Sequence, residues 1–227
     1  TVALDGNVTT TDLTVAGGGN FTQTSGLVTA SGTLTNNATA TVSNLSAGAV
    51  LNDFGAQLSL QGAVGGAVNN YGNLTATGLT TVTGTTTNLG EISAGGGGSL
   101  RINGGLLNLA LVNLTGGAVT GSGAANNQGV ISGRGAITAA LTNNAGGTVR
   151  AEGGVLNLTN VSGGNAGNLQ VASGGIMNVT SALTNTGLVS LEGASATLGG
   201  GNLLTNQGTI AGLGTVSKIT ANQGTVR

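Results

Sequence analysis

One small unit recurs through most of the chain: an Asn, any residue, then a Gly, with a large aliphatic residue two positions later. It is spelled at Asn70-Tyr71-Gly72, Asn88-Leu89-Gly90, Asn127-Gln128-Gly129, Asn144-Ala145-Gly146, Asn165-Ala166-Gly167, Asn185-Thr186-Gly187, Asn206-Gln207-Gly208 and Asn222-Gln223-Gly224. Successive anchors lie 18, 39, 17, 21, 20, 21 and 16 residues apart, and the 39 divides into 19 and 20 if Asn108 is a degenerate anchor. A period near twenty is one coil of a solenoid.

Within each coil the apolar residues keep register with the anchor. Four positions on stand Leu74, Ile92, Ile131, Leu169, Val189, Ile210 and Val226; six positions on stand Ala76, Ala94, Gly133, Val171, Leu191 and Gly212. Side chains alternate along a strand with period two, so these positions share one face, which points inward. A second strand follows paired glycines, with Leu100 and Ile102, Leu107 and Leu109, Leu156 and Leu158, and Met177 and Val179 expected inward. A third stretch, as in Leu141-Thr142-Asn143, Leu183-Thr184-Asn185 and Leu204-Thr205-Asn206, leads into the next turn. Two or three short strands per coil make an all-β parallel β-helix of about twelve coils, about 58 Å long at about 4.8 Å per coil.

Stacking at that spacing aligns like side chains, so the eight anchors are expected to form one Asn ladder, and Asn amides stabilise stacked strands in this way. Residues 70–227 are the regular part. Residues 1–69 carry the same strand character with weaker punctuation, at Asn37-Ala38-Thr39 and Asn52-Asp53-Phe54-Gly55, and suggest about three irregular coils of one continuous domain.

Composition narrows function. Charged residues are 5% of the chain against about 25% in ordinary domains, and His, Cys, Pro and Trp are absent. The six acids, Asp5, Asp12, Asp53, Glu91, Glu152 and Glu192, are scattered, so no general acid and base can be named together, and no catalytic, cofactor or metal residue is expected. A net charge of −1 with dispersed Arg and Lys gives no field for nucleic acid, and favours association between copies. The longest apolar run, Leu106 to Leu114, is broken by Asn108 and Asn113, so no membrane insertion is expected. Arg134 and Glu152 fall at equivalent outward places of adjacent coils and are expected to form a surface ion pair.

Neither Thr1-Val2-Ala3-Leu4 nor Thr225-Val226-Arg227 carries the charge or Pro that blunts an open sheet edge. The last coil stops soon after its anchor, and Thr1 placed after Arg227 lets Leu4, Val8 and Leu13 continue it. The two ends are therefore expected to be edges for head-to-tail stacking.

The recurrence of Asn-x-Gly-x-aliphatic and then Gly-Gly-x-Leu-Asn-Leu, over about residues 70 to 227, resembles the passenger regions of bacterial autotransporter and filamentous-haemagglutinin-like adhesins. It is similar also to solenoid repeats of exopolysaccharide-associated surface proteins. The resemblance implies a secreted, right-handed parallel β-helix at the cell surface, used as stalk, adhesin or matrix fibre. The expected function is an extracellular structural subunit, not an enzyme, whose partners are other copies of itself and, at a surface or biofilm matrix, polysaccharide. A monomeric adhesin stalk is the alternative, and a polysaccharide lyase or hydrolase a remote one.

Overall fold

A computed structural model describes residues 1–227. The chain is an all-β, right-handed parallel β-helix of about twelve turns. Every strand pairing is parallel, and each strand pairs with its counterpart one coil away. One inward column runs the whole length: Val2, Phe21, Ala40, Leu58, Leu74, Ile92, Val112, Ile131, Val149, Leu169, Val189, Ile210 and Val226.

Each coil has three faces. The first carries that column, as in Glu91–Gly95 and Asn168–Val171. The second follows a glycine bend, as in Ser99–Ile102 and Ile176–Val179. The third is the short Leu-x-Asn stretch, as in Leu183–Asn185 and Leu204–Asn206. Alternation of buried and outward residues, broken at Ile131-Ser132-Gly133 and Leu198-Gly199, fills a narrow interior mainly with Leu, Ile, Val and Ala. Phe21 is its one aromatic residue.

Glycine is required where coils turn against one another. Gly133 and Gly212 sit at φ of 116° and 121° on the six-after-Asn position, and a Cβ on either would strike the carbonyl of Leu114 or Leu191 in the coil below. An L side chain there would be strained twice, by its own backbone and by its neighbour.

Residues 1–69 are built on the same columns as the rest, with coil steps of 19, 19 and 18 from Val2 to Leu58. One sequence expectation changes. Leu107 and Leu109 do not point inward. Leu106 and Asn108 do, because Leu106-Leu107-Asn108 is a third-face strand paired with Thr86-Thr87-Asn88. Its preceding Gly104-Gly105 imitates the entry to a second-face strand, but the Asn decides which face the segment joins.

Candidate functional site

The dominant polar feature is a column of asparagines on the third face, buried from Asn36 to Asn206 and exposed at Asn222. It runs Asn36, Asn52, Asn70, Asn88, Asn108, Asn127, Asn143, Asn165, Asn185, Asn206 and Asn222, each Nδ2 donating to the Oδ1 of the next at 2.6–2.8 Å. The second amide hydrogen goes to a backbone carbonyl of the following coil, as from Asn70 to Glu91 O and from Asn88 to Leu111 O, both at 2.8 Å. Asn suits this place because one short side chain carries both a donor and an acceptor. All the amides point the same way, so each hydrogen bond polarises the next.

Seven of the eight predicted anchors, Asn70, Asn88, Asn127, Asn165, Asn185, Asn206 and Asn222, are in this column. Asn144 is not. It lies half-buried in the turn, and Asn143 occupies the buried seat. The turn from Asn143 to the inward Val149 takes six positions where Asn127 to Ile131 takes four, and these two extra residues move the Asn-x-Gly spelling off the structural anchor. Towards the N-terminus, Asn36 and Asn52 extend the column, and Val15 holds the corresponding place in the first coil. At Asn165 the third strand itself is lost and only isolated bridges to Asn143 and Asn185 remain, yet the amide keeps its place.

Three charged groups pair on the outside of the first face. Arg150 Nε donates to Glu152 Oε2 at 2.8 Å, and its Nη1 contacts Glu192 Oε2 at 2.8 Å and Gln170 Oε1 at 2.9 Å. The hydroxyl of Ser132 donates to Glu152 Oε1 at 2.5 Å. That hydroxyl, and then Arg150, hold the Glu152 carboxyl below its ordinary range. The predicted pair of Arg134 with Glu152 does not form. Arg134 Nη1 donates instead to Gly153 O at 3.2 Å, because the bend at Gly153 and Gly154 brings that carbonyl to it while Glu152 turns to Arg150 on its own strand.

The end strands do not follow one another as the sequence suggests. Val2 and Val226 stand at the same first-face position, so Val2, Ala3 and Leu4 are equivalents of Thr225 and Val226 and do not continue the coil after Arg227. Both end coils leave one edge of each strand unpaired.

Two surface features were missed. The residues following the asparagines of three adjacent coils, Tyr71, Leu89 and Leu109, stack as a half-exposed apolar ridge, with Leu107 beside it and Phe54, 88% exposed, in the turn of the coil below. The x of Asn-x-Gly carried that signal. Lys218 is buried, which a lone Lys amid Thr and Gly did not announce.

The largest surface depression, about 540 Å³, runs over the turn glycines Gly147, Gly167, Gly187 and Gly208 to Arg227. No three metal-ligating side chains come together, and no helix is long and apolar enough to cross a membrane. No family model, curated protein or solved structure matches the chain. The likeness to surface-adhesin repeats therefore extends to the solenoid fold alone.

Proposed function

We propose that this chain is an extracellular structural element, a stiff β-solenoid rod that carries length. The unbroken column of asparagines, buried from Asn36 to Asn206, supports this reading. The interior hydrogen bonds join coil to coil, and the ion pairs of Arg150 with Glu152 and Glu192 lie along the first face, so this side-chain chemistry serves the rod itself. The reading is non-catalytic.

The finer proposal is that rods stack head to tail into filaments. The unpaired strand edges of the two end coils are seats for further coils, whether of the same chain or of another copy. In a stack of copies, Val2–Asp5 of one rod and Thr225–Val226 of the next compete for the place above Thr209 and Ile210. The four-residue strand displaces the two-residue one, and Val8–Thr10 and Leu13–Val15 then lie over Thr215–Val216 and Thr220–Asn222. Electron microscopy over a dilution series tests it: threads with an axial repeat near twelve coils, about 58 Å, are expected. Isolated rods at every concentration overturn the stacking and leave a stalk.

A second reading, a surface adhesin, draws on the apolar ridge at Tyr71, Leu89 and Leu109. It takes precedence if the rods stay single and a glycan or protein surface binds wild type but not Tyr71→Ala.

A further inference from the structure

Residues 153–226 contain two titratable side chains, Glu192 and Lys218. Glu192 faces outward to Arg150. Lys218 faces inward, and it is the one buried residue between 211 and 227. Its coil is otherwise weakly held: the strands are two or three residues long, and Leu213 and Ile219 are exposed.

The pairing explains how a Lys comes to be there. On the second face Asn178 pairs with Gly199 and Leu198 with Val216, and two places beyond Leu198 and Val216 stand Gly200 and Lys218. Gly200, at φ 125°, has no side chain to fill the interior. The Lys218 chain takes that space, and Nζ donates to Val179 O at 2.7 Å and Ser181 O at 3.3 Å, two coils below. The strands packed around it, Ile176–Val179, Leu183–Asn185, Thr197–Gly199 and Leu204–Asn206, hold no charged or titratable group. Its partners are backbone carbonyls alone.

We propose that Lys218 is a proton-sensitive clasp, whose head group bolts residues 211–226 to the coil two below and whose protonation sets how often that coil opens. Burial lowers the hold of Lys218 on its proton. The closed coil then binds fewer protons than the open one between the depressed value and the ordinary one of about 10.4. Closing is favoured as pH rises through that window, and the grip is weakest below it.

The test is the rate at which an alkaline-active protease cuts within residues 211–227 of the intact chain, divided by its rate on the free peptide of those residues. That ratio follows the open population when reclosing is fast. Lys218→Met, which keeps the stem and loses the donors, is expected to raise it about tenfold or more at neutral pH, while cleavage elsewhere is unchanged. In wild type the ratio is expected to fall as pH rises towards about 10.4, and in the Met variant to stay level. Equal ratios in the two proteins, a level wild-type profile, or loss of protection along the whole Met variant would each overturn the clasp.

Discussion

Asn127 donates its side-chain amide to Asn143 at 2.8 Å, and Asn143 in turn donates to Asn165 at 2.6 Å. Asn144 lies one residue further on and takes no part in this relay. The two neighbours are chemically identical and differ only in which way the strand turns them.

Their replacements should therefore differ sharply. Asn143→Ala leaves the amide of Asn127 and the Oδ1 of Asn165 without their partner in a dry interior, and is expected to cost about 1–3 kcal/mol. Asn144→Ala should stay within about 0.5 kcal/mol of wild type. Urea unfolding followed by circular dichroism compares them.

Asn88→Asp replaces the donor with a group that accepts only, between two Asn neighbours at 2.8 Å. Burial and the missing donor disfavour the carboxylate, so its pKa rises on folding. The variant should be destabilised by several kcal/mol at neutral pH, about 3 or more. It should regain part of this as pH falls below the folded value, where the acid is neutral and can donate. Unfolding midpoints at pH 4 to 8 in steps check the direction.

Leu106 and Leu107 make a second matched pair. Leu106→Ala removes a fully buried side chain and should cost about 2–5 kcal/mol, whereas Leu107→Ala on the outer surface should cost under about 1 kcal/mol. Comparable losses would mean that the face assignment is wrong.

For the outer cluster the expected effects are small. Arg150→Met removes both ion pairs, but the partners are partly exposed, so the loss should be about 0–1 kcal/mol and shrink further in salt. Arg134→Ala should leave the Glu152 titration where it is, and Arg150→Met should raise it. Because the Glu152 carboxyl is depressed on folding, its contribution is present above the ordinary Glu value of about 4.3 and fades as pH falls through the folded one. Carbonyl-carbon NMR titration reads the site directly.

The coil period, the inward columns and most of the asparagine relay were legible because each rests on strand alternation plus one repeated turn. What escaped was local. A doublet such as Asn143-Asn144 offers two candidates for one seat, and only the turn length chooses between them. Gly-Gly-Leu-Leu-Asn at residues 104–108 resembles Gly-Gly-Val-Leu-Asn at 153–157, yet the first ends in a buried Asn and the second in a half-exposed one. Which face a segment joins depends on the coil beneath it. Arg150 was passed over for Arg134 because sequence spacing gives columns but not the direction in which a long side chain leans. Lys218 was invisible for a related reason: the space it fills is created by Gly200, eighteen residues away.

The asparagine relay spans intervals as short as 16 residues, from Asn127 to Asn143, and as long as 22, from Asn143 to Asn165, with nearly the same hydrogen bond at each step. Loops of different girth thus close on one seam. The rod is divisible at its seam, so that a whole coil can be removed or duplicated by joining like positions, such as Asn88 to Asn108, and the neighbours above and below would meet in register. Length becomes a quantity that gene duplication can adjust one storey at a time.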